Sequence, residues 1–161
     1  ATMFDVVPIG NETYNRLVVQ MGNVNNLLGW GHARVIENLL AKVDPAGEGK
    51  RCPKAISDQF GNARIVKQAL MKRGRQIELV QRHKAESDLA VAAASILARD
   101  EFVRRLRRLG KEYGIALPKG ASEAVRAAGV ELVRKHGPDV LVQVAKVHFR
   151  TTDQVRKEAA A

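Results

Sequence analysis

The chain has 161 residues and 45% hydrophobic content, enough for one domain with a core of its own. Its 27 Lys and Arg outnumber 17 Asp and Glu to leave a net charge of +10, a balance that favours polyanions such as nucleic acid as partners. No segment approaches the apolar length of a membrane span and no signal-peptide pattern is legible at the amino terminus. The one cysteine, Cys52, cannot close an internal disulfide, so the expected setting is a reducing cytoplasm with no membrane contact.

In chain order, strands alternate with helices. Residues 4–9 form a short extended run and residues 14–21 read as a helix. Asn23-Val24-Asn25-Asn26 offers N-capping side chains, after which Leu28, His32, Val35, Ile36, Leu39, Leu40 and Val43 fall on one helical face. Asp44-Pro45-Ala46-Gly47-Glu48-Gly49-Lys50 breaks that helix. The β-like run Lys54-Ala55-Ile56-Ser57-Asp58 follows, then a helix over 63–72 that Gly74 ends, then a second run, Gln76-Ile77-Glu78-Leu79-Val80. The small-residue stretch Ala90-Val91-Ala92-Ala93-Ala94-Ser95-Ile96-Leu97-Ala98 opens a long helix. Its inner stripe is Val91, Ser95, Ala98, Phe102, Leu106, Leu109 and Tyr113, and Gly114 closes it. Ser122 caps a helix over 123–136 that Gly137-Pro138 stops. The Ala-rich end after Asp153 reads as loosely held, which divides the chain into a domain over 1–152 and a tail over 153–161.

Two acids stand out by position. Asp58 closes the first β-like run, and Glu86 falls at the mouth of the small-residue helix, in its first turn near the positive end of the helix dipole. Open α/β sheets build their sites at the carboxyl ends of strands, where two acids can share hard cations. Taken one at a time, by spacing alone, each acid reads first as a residue that starts a helix and second as a metal ligand. Arg104, Arg107, Arg108 and Lys111 line one helix face and could track a nucleic-acid backbone, or form a solvated surface. Lys119 beside Gly120 could meet a phosphate or belong to a structural turn. Lys84 adjoins Glu86, and Lys146 and His148 alternate with Val147 and Phe149; all three are candidate nucleic-acid contacts. His83 and His148 lack the spacing of a zinc site, and Tyr14 and Trp30 read as core residues before base-stacking platforms.

Several blocks together resemble one family. Asp58-Gln59-Phe60-Gly61, Lys84-Ala85-Glu86-Ser87 with Val91-Ala92-Ala93-Ala94-Ser95-Ile96-Leu97-Ala98-Arg99, Leu117-Pro118-Lys119-Gly120-Ala121-Ser122 and Ala145-Lys146-Val147-His148-Phe149 are similar to the type 2 ribonuclease H family. Tyr14-Asn15 and Asn25-Asn26-Leu27-Leu28-Gly29-Trp30-Gly31-His32 resemble its ribonuclease HIII branch. The resemblance implies an α/β ribonuclease H-like fold, a mixed sheet flanked by helices. It also implies endonucleolytic cleavage of the RNA strand of RNA/DNA hybrids with two divalent cations, Mg²⁺ or Mn²⁺. In the family four carboxylates hold the cations: an Asp-Glu pair in a glycine-containing motif on the first strand, a third acid matching Asp58 and a fourth matching Glu86.

The chain departs from that pattern in one respect. No Asp-Glu pair precedes Asp58; the acids before it are Asp5, Glu12, Glu37, Asp44 and Glu48, none adjacent to another. The family's first strands are therefore expected to be missing, with an unpaired strand edge left for another segment or a partner chain to fill. The alternative expectation, from a different class, is a non-catalytic nucleic-acid-binding module with an incomplete metal site.

Overall fold

A computed structural model describes residues 3–48 and 51–161; the end of the expected break at Gly49 and Lys50 lies outside them. The chain forms two compact units, Ala1–Val7 with Gln20–Asp100 and Pro8–Val19 with Glu101–Ala161. Seven α-helices and two β-strands are found among the described residues, and none of the helices is long and apolar enough to cross a membrane.

In the first unit, α2 (Val24–Val43) starts where Asn23, extended at φ −161°, accepts a hydrogen bond on its side-chain oxygen from Asn26 N–H. Its buried face is Leu27, Gly29, Ala33 and Leu40, one step round from the stripe expected, and Leu28 is exposed. The small residues decide this. A Cβ on Gly29 would stand 2.6 Å from Ile65 Cγ2, so α3 (Arg64–Ala69) approaches α2 where a hydrophobic stripe counts nothing. Strand β1 (Lys54–Asp58) pairs in parallel with β2 (Glu78–Arg82), in a register that sets Asp58 opposite Arg82. These two strands are the whole of the sheet described. Residues 4–9, expected as an extended run, join no ladder; Asp5 instead meets Lys42 at 2.6 Å and Asn38 at 2.9 Å on α2.

Gly74 does not end α3. The helix stops at Ala69, and Gly74 opens a 3₁₀ turn through Gln76, its N–H donating to Glu37 at 3.0 Å. This pushes the second strand to Glu78–Arg82, two residues beyond its expected start.

Helix α1 (Asn11–Met21) and the long α4 (Leu89–Tyr113) each run from one unit's segment into the other's. The stripe expected to face inward on α4 is not buried: no residue of this helix is, and Phe102 is 46% exposed. In the second unit, α5 (Glu123–His136) begins at Ser122 as expected, but through the Ser122 carbonyl, which accepts from Val125 and Arg126, rather than through its hydroxyl. Gly137 stops the helix at φ 85°. Ile115, Leu132, Val140, Leu141 and Val155 form the core here, Val140 and Leu141 on α6 (Val140–Val144). Val155 belongs to α7 (Arg150–Ala160), which is packed so closely that a Cβ on Gly129 of α5 would lie 2.8 Å from Val155 Cγ2. The end of the chain is thus a packed helix, not a loose tail, and residue 153 lies inside it.

Candidate metal and nucleic-acid site

Parallel pairing brings the carboxyl ends of β1 and β2 side by side, and Gln59 N–H extends the ladder to Arg82 C=O at 3.1 Å. The chain then turns sharply at Lys84, whose φ of 54° makes it the one non-glycine residue described in the left-handed region. Holding a lysine there costs about 1 kcal/mol. The turn aims the buried Ala85 N–H at Asp58 Oδ1, 3.2 Å away, so the peptide preceding Glu86 is bonded to the other acid.

Glu86 does not lie in the first turn of α4. It sits in a separate 3₁₀ turn, Ala85–Ser87, because Asp88 takes the capping role: Asp88 Oδ1 accepts from Ala90 N–H at 2.9 Å and its carbonyl from Ala92 N–H at 2.9 Å. Asp88 also pairs with Arg82 at 3.6 Å. That leaves Glu86 exposed with no side-chain hydrogen-bond or ion-pair partner among the described residues, and the Asp58 carboxylate, also exposed, with only the Ala85 bond. In a chain of net charge +10, both acids are exposed to solvent on the same side of the β1–β2 pair's carboxyl ends.

Behind Asp58 stands a pair that the sequence did not single out as functional. Ser57 donates its hydroxyl proton to Asp58 C=O at 3.1 Å and lies 3.1 Å from His32 Nδ1, so with that proton committed it accepts from an Nδ1–H imidazole. The His32 ring also packs against Phe60, centroids 5.0 Å apart. Burial lowers the His32 pKa below its ordinary 6.5, opposed by the Asp58 charge. A histidine with a lowered folded pKa takes up its proton more readily in the unfolded chain. Its contribution to stability is therefore complete above about pH 6.5 and is lost as pH falls through the folded value. In EDTA, the urea midpoint is expected to fall between pH 7 and pH 5, and His32→Gln to remove part of that fall. Parallel pH profiles for the two proteins would show that His32 titrates alike in both states.

The other expected contacts lie in the second unit. Arg104 is held by Glu101 at 3.2 Å, which Arg105 also engages at 2.5 Å, while Arg107, Arg108 and Lys111 are exposed on the same helix. Lys119 is exposed beside Gly120, at φ 92°, ahead of α5. Lys146 and His148 lie in an irregular turn against Tyr14: Lys146 Nζ is 4.5 Å from the Tyr14 ring centroid and His148 stacks on that ring at 5.8 Å. Asp58, Lys84 and Glu86 are thus gathered in the first unit and the remaining basic candidates in the second. No group of three His, Cys, Asp or Glu positioned to hold a metal ion is found among the described residues.

The sequence model of the ribonuclease HII family matches residues 14–152, and the chain belongs to that family. Its similarity to individual members is to proteins named ribonuclease HIII. It is 42% identical over 153 residues to that of Protochlamydia amoebophila, covering 95% of this chain and 48% of the relative. It is 44% identical over 152 residues to that of Chlamydia pneumoniae, covering 94% and 49%. The crystal structure of Bst-RNase HIII in complex with Mn²⁺ superposes with a TM-score of 0.82 at 30% identity, over 94% of this chain and 49% of that one. The fold is accordingly a partial ribonuclease H-like α/β fold, and the chain spans about half the length of the relatives it matches.

Proposed function

We propose that this chain contributes the Asp58 and Glu86 half of a ribonuclease H active site that hydrolyses the RNA strand of RNA/DNA hybrids. The observation that carries this reading is a pair of exposed carboxylates, Asp58 at the end of β1 and Glu86 in the turn that follows β2, with Asp58 anchored by the N–H of Ala85, the residue before Glu86. Carboxylate oxygens suit Mg²⁺ or Mn²⁺ in kind, and Asp58 Oδ2 with the Glu86 carboxylate would hold such ions. Bound there, two of them would activate the attacking water and stabilise the departing 3′ oxygen. The chain's own part is to fix Asp58 through Ala85 N–H, to present Glu86 unpaired beside it, and to meet the phosphates with its basic residues. A cytoplasmic setting agrees with this reading.

Arg107, Arg108, Lys111, Lys119 and Lys84 are proposed to meet the sugar–phosphate backbone. Hybrid binding is then expected to weaken steeply with salt, the logarithm of the association constant falling linearly with that of salt concentration. Arg107→Glu and Lys111→Glu should each flatten that slope by about one unit. Arg104→Glu should do less, since Glu101 already meets that guanidinium. Fluorescence anisotropy with a labelled hybrid at several salt concentrations measures this, and salt-independent binding would remove the backbone role. A second reading is favoured by the lack of a third metal-binding group among the described residues: a module that binds hybrid without cutting it. Cleavage by an assembly containing this chain separates the two.

A further inference from the structure

The turn at residues 146–149 is held from below with unusual completeness. Asn15, on α1, donates from Nδ2 to Val142 C=O at 3.0 Å and to Ala145 C=O at 2.9 Å, and accepts on Oδ1 from Val147 N–H at 3.0 Å. One part-buried amide thus satisfies three backbone groups and fixes the conformation of a loop. A further bond from Phe149 N–H to Lys146 C=O closes the turn itself.

What the clamp presents outward is not packing. Lys146, His148, Phe149 and Arg150 are all exposed, and Phe149 is 53% exposed. The rings form a short stack, Tyr14 to His148 at 5.8 Å and His148 to Phe149 at 4.1 Å, with Lys146 against the Tyr14 face. No ion pair occupies Lys146 or Arg150 among the described residues, and Asp153, the nearest acid along α7, pairs with Arg156 at 3.8 Å. The Tyr14 hydroxyl, on a side chain 6% exposed, is the one buried side-chain nitrogen or oxygen described that has no hydrogen-bond partner. A turn that backs the exposed ring of Phe149 with His148 and sets it beside two cations without a described ion pair has the chemistry of a single-stranded nucleic-acid contact. Rings take the face of an unpaired base whatever its sequence, and cations take the phosphates on either side. A base inside a duplex has no free face to offer, so this turn suits a nucleotide beyond the paired region.

We infer that residues 146–150 hold an unpaired nucleotide flanking the hybrid, its base against the exposed ring of Phe149 and its phosphates on Lys146 and Arg150. This rests on the nucleic-acid reading above and adds a preference that backbone contact alone does not give. The test compares the chain's affinity for a blunt hybrid and for the same hybrid with a four-nucleotide single-stranded overhang, at one salt concentration. The overhang is expected to tighten binding at least about fivefold, the lower end of what one stacked base contributes. Phe149→Ala should erase that advantage and leave the blunt affinity unchanged. Phe149→Leu, which keeps an apolar side chain without a ring face, should do the same and preserves the test if the alanine variant fails to fold by circular dichroism. Equal affinities for the two hybrids, or an advantage that survives both substitutions, would overturn this inference and leave the hybrid reading standing. No binding to either at low salt would remove both. Phe149-dependent binding of the overhang form alone would uphold the inference against the hybrid reading.

Discussion

Asp58→Asn or Glu86→Gln, made in any preparation in which this chain takes part in hybrid cleavage, is expected to lower the Mg²⁺-dependent rate by more than about 100-fold. Loss of a residue that merely orients a metal ligand costs about 10- to 100-fold, and loss of a ligand should exceed it. Both substitutions keep side-chain shape. With Asp58→Asn the amide oxygen introduced would still accept the Ala85 N–H, so the turn before Glu86 should persist. The defect should accordingly fall on turnover and on the metal concentration needed for half-maximal rate, with hybrid affinity in the absence of metal nearly unchanged. Near-normal turnover in either variant would take that residue out of the site.

The second large effect concerns the chain by itself. Two carboxylates attract a divalent ion, but holding two ions around one phosphate needs ligands that bridge them, and here the obvious substitutes are engaged elsewhere. Asp5 is tied to Lys42 and Asn38, and Asp88 is tied to Arg82 and to the start of α4. The purified 161-residue chain is therefore expected to leave a labelled hybrid essentially uncut in Mg²⁺ or Mn²⁺. Adding a segment that bears an Asp-Glu pair, in the same chain or as a partner, should bring cleavage well above the EDTA control in single-turnover assays. Robust metal-dependent cleavage by the chain alone would mean that other ligands complete the site.

Asp58 was legible because it closes the short β-like run around Ile56, and the observed β1 has the same bounds. Glu86 was found but assigned to the wrong local element. With Glu86 and Asp88 both ahead of a helix, sequence alone does not say which one caps, and the left-handed Lys84 that settles it leaves no compositional mark. The face of α2 slipped because Gly29 and Ala33 contribute by absence of bulk, which hydrophobic periodicity does not count. His32 was assigned to that apolar face; its bond to Ser57 depends on a contact between residues 25 apart in the chain. The end of the chain read as loose because its alanines and charges hide one buried contact, Val155.

A 25-residue helix without a fully buried side chain draws part of its stability from its own sequence, beside contacts such as Tyr113 on the core of the second unit. Alanine-rich turns and the Glu101 to Arg104 and Arg105 pairs favour helix locally, each by a few tenths of a kcal/mol. Stability of that kind is lost a turn at a time, whereas α2 and α5 open only when the cores around Leu27 and Leu132 come apart. The backbone of α4 is thus the part of the chain where protons exchange with solvent through fraying. Fraying of α4 would therefore loosen one of the places where the chain passes between the two units.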